Sequence, residues 1–379
     1  MTALLDSFRL LIAADDGLRA QLSATNDTAA FLETALAIAT RYRIALQPED
    51  LAPLTAPDPL GLLQHEPPPL LCQGWPPLGW LPYALSATAV DWADFSGVTL
   101  DGGFQTIATG AALARPINRL LRCRMGIDAF LRGPPEGLRL PDGLVFHMSR
   151  CGSTLVARML AALPGSYAVN EAEPLNALLR IARDSPEELR IAALRAMVGA
   201  LGRRPSRRWF LKLSASSALD LPLFRRAFPG IPWTFLHRDP PAVIASQMKL
   251  RAPEFEPIIT PPAYFGLPPD AADDEEDYVA RVLARFCEAA LAADGSGFVD
   301  HADLPDAFTS TILPHFGIGA DEADAAALRN LPRWHAKRPD QPWSPDKAPS
   351  DPATKAAADR HLAPLFARLK AVQRGESLL

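Results

Sequence analysis

The chain has 379 residues, long enough to bury a large core and to form two domains or one decorated domain. A formal net charge of −5 with 48% hydrophobic residues describes a globular protein without the basic surplus that nucleic acid or an anionic membrane surface would require. Cys72, Cys123, Cys151 and Cys287 are far apart and lack C-x-x-C spacing, so neither a metal site nor a disulfide framework is expected, and a reducing cytoplasm fits. Met1 to Asp16 carries Asp6 and no basic n-region, so it does not read as a signal peptide; no apolar run reaches the ~18 residues of a membrane span.

Taken in order, residues 3–60 read as helical. Leu4, Leu5, Phe8, Leu11 and Ile12 form one stripe, and Asn26-Asp27-Thr28 caps a second helix with Phe31, Leu32, Ala35 and Ile38 on one face. Residues 56–90 are dense in proline and are expected to form an irregular wrap or linker, with Trp75, Trp80 and Trp92 as packing anchors. Residues 104–132 return to a helical pattern, on which Arg115, Arg119, Arg122 and Arg124 read as a solvated face. Beyond Gly133-Pro134-Pro135, apolar runs at 144–146, 209–213, 233–237 and 298–300 read as buried strands alternating with helices. That alternation predicts a parallel α/β sheet with its ligand at the strands' carboxyl ends. The acidic run 273–277 reads as a solvated helix start.

Chemistry concentrates on Leu144 to Leu160. A short apolar strand is followed by Ser149-Arg150-Cys151-Gly152-Ser153-Thr154, then by Leu155, Val156, Met159 and Leu160 at helical spacing. Strand, small-residue turn and helix start direct unpaired N–H groups and a helix dipole at one spot, which suits a phosphate. It is not a Walker A loop: Ser153 stands where that motif has Lys, and Arg150 must supply the charge. Cys151 reads as a small space-filler. Lys212 ends the second strand, and His237-Arg238-Asp239 follows the third. Arg238 and Ser246, eight residues on in the next helix, can hold a phosphate between them.

With these residues the chain resembles the sulfotransferases that use 3′-phosphoadenosine 5′-phosphosulfate (PAPS), nearer to their protein-tyrosine and bacterial branch. Arg150, Gly152, Ser153 and Thr154 match the family's 5′-phosphosulfate loop; Arg238 and Ser246 match its 3′-phosphate pair; Phe298 to Leu304, with Phe316-Gly317, resembles its later strand end. The resemblance implies a three-layer, parallel-sheet, P-loop-like α/β domain at 136–379, with PAPS as donor, 3′-phosphoadenosine 5′-phosphate (PAP) as product and a hydroxyl-bearing acceptor. It places 5′-phosphosulfate binding on Arg150, Cys151, Gly152, Ser153 and Thr154, and charge stabilisation on Arg150 and Lys212. The His that cytosolic members carry after the second strand's Lys is missing, since Leu213 and Ser214 follow Lys212. Glu171 falls at the spacing of the protein-tyrosine branch's base, with Glu173 as substitute; both also suit a plain helix cap before Pro174. His147 and His237 flank the loops and read first as packed strand-end residues. Arg333, Lys337 and Arg338 match a basic segment that often closes over the nucleotide in that family. Residues 1–60 resemble a Nif11-like helical domain in Phe8-Arg9-Leu10, Leu18 to Leu22, Asp27 to Leu32 and Glu49-Asp50-Leu51. That resemblance implies a ribosomal peptide or natural product as acceptor. Two other readings stay open: a nucleotide-dependent kinase on the same scaffold, and a non-catalytic peptide-binding protein.

Overall fold

The computed structural model describes residues 3–55, 67–293, 297–319, 321–328, 334–335, 338–342 and 351–376. The chain divides into two compact units: 1–99, 105–139 and 173–205 form one, and 100–104, 140–172 and 206–379 the other.

The first unit opens with four helices, α1 (Ala3–Ala14), α2 (Asp16–Ser23), α3 (Thr28–Arg41) and α4 (Pro48–Thr55). Asp15 caps α2 through Leu18 N–H at 3.0 Å, and Asp27 caps α3 through Ala30 N–H at 2.8 Å. Phe8, Ile12, Leu22, Phe31 and Ala35 are fully buried on the facing stripes. Residues 56–66 of the proline-dense stretch lie outside the described residues, and from 67 on it is more regular than its composition predicts. It carries β1 (Leu70–Cys72), β2 (Trp80–Leu85) and β3 (Ala89–Asp94); α5 (Gln105–Leu113), α6 (Pro116–Leu120), β4 (Cys123–Gly126) and α7 (Ile127–Leu131) follow. These strands form one sheet in the order β1-β4-β3-β2, parallel between β1 and β4 and antiparallel elsewhere. Pro82 is accommodated beside the register shift between Pro82 and Ala84. Trp75 and Trp92 meet edge to face at 5.2 Å, with Arg203 above Trp75 at 5.3 Å. The tryptophans pack, as expected.

Arg115 departs from the predicted solvated face, whereas Arg124 is exposed and pairs with Asp91 at 2.7 Å. Arg115 is 4% exposed, its Nη1 is 3.2 Å from Asp94 Oδ2, and it donates to Asn26 Oδ1, Ser23 O and Asp94 O. A buried guanidinium with this many acceptors is a structural crosslink.

The second unit holds a five-stranded sheet of β5 (Gly143–His147), β6 (Ser166–Asn170), β7 (Arg208–Lys212), β8 (Trp233–His237) and β9 (Phe298–Asp300), in the order β6-β7-β5-β8-β9. Every pairing is parallel. The strands are apolar and buried along their length, as a parallel sheet requires. The mixed α/β class and the parallel sheet thus agree with the sequence; strand β6 was not foreseen. Helix α8 (Ser153–Ala162) follows β5 and lies against β6 and β7. After β6 the chain supplies α9 (Glu173–Ile181) and α10 (Glu187–Leu201) to the first unit. The second unit continues with α11 (Leu221–Ala227), α12 (Pro240–Lys249), α13 (Glu275–Leu291), α14 (Leu313–His315), α15 (Glu322–Leu328), the antiparallel pair β10 (Trp334–His335) and β11 (Arg338–Pro342), α16 (Pro352–His361) and α17 (Ala363–Gln373). The acidic run caps α13 through Asp274, but Asp277 is buried rather than solvated, meeting Arg281, Arg360 and His361 at 2.5–2.6 Å. No helix among the described residues is long and apolar enough to cross a membrane.

From β5 the chain runs to one side of the sheet, through β6 and β7, then crosses to β8 on the other side. That reversal makes the carboxyl ends around β5 the natural place for a ligand crevice.

Candidate active site

The turn after β5 is built on unusual backbone. Ser149, Arg150 and Gly152 have φ of 82°, 49° and 82°, in the left-handed region that non-glycine residues avoid. Glycine is favoured at 152: besides the positive φ, a Cβ there would sit 3.0 Å from both His301 Cδ2 and Leu304 Cδ1. Gly152 is also the N-cap of α8 and gives it no side-chain capping bond. The first N–H groups of α8 therefore lack the usual capping oxygen, and a left-handed turn of this kind is an anion-binding nest. Arg150 Nε is buried without a hydrogen bond, while its Nη2 donates to Leu250 O.

The neighbouring strand ends bring further charges to the same edge. Lys212, last residue of β7 and 1% exposed, donates through Nζ to Glu171 Oε1, and Glu171 N–H donates to Lys212 O at 2.9 Å. Glu171 directly follows β6 with φ of 54°, a second strained position at a strand end. Arg238, after β8, donates from Nη1 to Arg150 O at 3.1 Å. The structure thus gathers Arg150, Lys212, Glu171 and Arg238 about one turn. Ser246 lies half-buried on α12, in the β–α connection that also carries Arg238. Ser153 and Thr154 are buried in the first turn of α8.

The remaining candidates separate by their partners. Cys151 is fully buried, donates to Leu236 O at 3.2 Å, and burial pushes its thiol up to about 11. His147 Nδ1 accepts from Ser149 N–H at 3.0 Å, which leaves Nε2 carrying the hydrogen toward Leu213 O at 3.0 Å. Nε2 also lies 3.7 Å from Glu171 Oε1. His237 is buried, its Nε2 is 3.1 Å from Gln373 Oε1, and burial lowers its pKa. Glu173 belongs to the first unit, where it is exposed and pairs with Arg180 at 2.6 Å. Arg333 and Lys337, and the side chain of Arg338, lie outside the described residues.

Several contributors were not singled out from sequence. Ser149 Oγ accepts from Gln247 Nε2 at 2.8 Å, and Gln247 Oε1 accepts from Ala252 N–H at 3.0 Å, tying the segment after α12 to the turn. That segment carries Glu254, half-buried on the single turn Pro253–Phe255, which interacts electrostatically with Glu171, Lys212 and Arg150. Burial and the Glu171 charge raise the Glu254 carboxyl above its ordinary value. Chemically, the edge offers a nest and three cations for an anion, with a carboxylate beside them.

No family model and no curated protein matches the chain. Among solved structures it is similar to a sulfotransferase domain from the curacin biosynthetic pathway, at 14% identity and a TM-score of 0.35 over 59% of this chain and 98% of that one. It is also similar to a sulfotransferase from Mycobacterium tuberculosis H37Rv, at 17% identity and 0.37 over 62% and 81% of the two chains. A third, from Alicyclobacillus acidocaldarius, has 16% identity and a TM-score of 0.37 over 64% and 98%. Likeness at this level assigns neither a family nor an activity.

Proposed function

We propose that this protein is a PAPS-dependent sulfotransferase, of the EC 2.8.2 type, moving a sulfuryl group to a hydroxyl of a peptide or small-molecule acceptor. The observation that carries the reading is the left-handed turn Ser149–Gly152, with Arg150, Arg238 and Lys212 around it and Glu171 alongside. The orphan N–H groups opening α8 and the unbonded Nε of Arg150 fit the anionic end of such a donor. Arg150, Gly152, Ser153 and Thr154, with the Cys151 backbone, would hold the 5′-phosphosulfate; Arg238 and Ser246 would hold the 3′-phosphate.

When bound, the donor supplies an activated sulfuryl group. The chain's part is positioning and electrostatics, as in phosphoryl transfer. Arg150, Lys212 and the N–H groups of 152–154 hold the charge that grows on the transferring group and the leaving phosphate oxygen. Glu171 receives the proton of the acceptor hydroxyl. If the N-terminal helices act as their Nif11-like residues imply, a ribosomal peptide or natural product is the acceptor.

Calorimetric titration with PAP, ADP and ATP, repeated on Arg238→Ala, tests the reading. The expected result is preference for PAP, lost in the variant. Preference for ADP or ATP would move the kinase forward; PAP affinity without transfer, indifferent to Glu171→Gln, would favour the binding protein.

A further inference from the structure

Gln247 is fully buried in the last turn of α12, and both ends of its amide are used on other segments. Nε2 donates to Ser149 Oγ at 2.8 Å, and Oε1 accepts from Ala252 N–H at 3.0 Å. Ser149 holds its φ of 82° immediately before Arg150. Leu250, two residues before Ala252, accepts from Arg150 Nη2 through its carbonyl. One amide therefore grips Arg150 from two directions: through the backbone that leads into it, and through the segment that holds its guanidinium. That segment is pinned further along. Phe255 is fully buried against Phe286 of α13 at 5.9 Å, and its N–H donates to Ala252 O at 2.9 Å. Arg251, the other cation there, is turned to Glu275 at 2.6 Å and is no substitute for Arg150.

Two successive non-glycine residues in the left-handed region, Ser149 and Arg150, persist only where the surroundings over-determine them. The task needs a donor and an acceptor at the end of one long side chain, which Gln supplies and Glu or Leu does not. With Nη2 spent on Leu250 O, the guanidinium keeps Nε buried and without a hydrogen bond. We propose that Gln247 is a positioning residue that aims Arg150 at an anion held in the Ser149–Gly152 turn, and that it acts on binding only through Arg150. The inference deepens the proposed donor site and rests on that reading for the identity of the anion.

A double-variant cycle, measured by calorimetry of the full chain with PAP, tests it. Arg150→Ala should weaken PAP binding by about tenfold or more, the loss expected for a charge-assisted hydrogen bond. Gln247→Leu should weaken it by about fivefold or more, yet cost less than about twofold further when added to Arg150→Ala. Losses that multiply in the double variant, or an unchanged affinity in Gln247→Leu, overturn the proposal. A residue that merely packs α12 would show one or the other. If Gln247→Leu does not fold, Ser149→Ala removes the same hydrogen bond and leaves Gln247 on Ala252; the same cycle with Arg150→Ala then decides. If the wild type does not bind PAP, the donor reading fails, and nitrogen-15 NMR of labelled arginine decides the positioning on the free protein. The Arg150 Nε–H signal, identified by its loss in Arg150→Ala, should shift and exchange faster with solvent in Gln247→Leu or Ser149→Ala. A signal that stays in place with its protection intact overturns the proposal.

Discussion

Replacing Arg115 by Met is the sharpest probe of the first unit. Met keeps the length of the side chain but removes its charge and all its donors. Asp94, 1% exposed, would be left with Oδ1 accepting from Ser96 N–H at 2.7 Å and Oδ2 without a hydrogen bond or its Arg115 partner. Ser23 O and Asn26 Oδ1 would each lose a donor as well. Breaking a buried pair by removing one member costs about 3–5 kcal/mol. At roughly 2–4 °C per kcal/mol for a domain of this size, the melting temperature should drop by about 6–20 °C. Thermal and urea unfolding by circular dichroism measure it. The double variant Asp94→Asn with Arg115→Met should recover part of the loss, because the uncompensated charge is gone while Asn still accepts from Ser96. A loss below about 1 kcal/mol, or a double variant no better than Arg115→Met alone, would refute the crosslink.

Gly152→Ala places a Cβ against His301 and Leu304 at a φ of +82°, so it should cost about 1–3 kcal/mol of stability and weaken PAP binding at least about tenfold. Unchanged PAP affinity by calorimetry would remove the turn from the site. His237 is held neutral by burial, with its folded pKa below the unfolded value. Over that interval the unfolded state binds more protons, so His237 costs no stability above about pH 6.5 and makes the protein progressively less stable as pH falls below it. Urea midpoints measured through this range should fall less steeply in His237→Gln; equal slopes would show that other groups set the acid limb.

How much of this could be read from the sequence depended on whether local pattern and tertiary context agreed. Strands β5, β7, β8 and β9 announce themselves as apolar runs because a parallel sheet buries both faces. Strand β6, Ser166–Asn170, has the same burial but begins with Ser and Tyr just after Pro164-Gly165, so it reads as the end of a turn. Strands β1 and β2 were hidden by internal or neighbouring proline, which edge positions and a register shift tolerate. Arg115 looks like any helix-surface cation until Asp94 and Ser23 are brought to it from elsewhere in the chain. Arg150, Lys212 and Arg238 were legible because each ends or follows a recognisable strand. Glu254 was not: a Pro-Glu-Phe triplet in a loop has no periodicity, and long-range hydrogen bonds from Gln247 and Arg150 tie its segment to the turn.

The division of the chain has a consequence for anyone cutting it. Each unit is assembled from separate stretches, the first interrupted at 100–104 and again at 140–172 by residues of the second. No single scission releases either one whole: a fragment ending at Arg139 lacks α9 and α10, and one beginning at Leu140 carries those two helices without their partners. During synthesis the first unit is complete only once Pro205 has been added, by which time residues 149–152 of the second have already been made. Vectorial growth therefore interleaves the two units, so that neither can be finished before the other has begun.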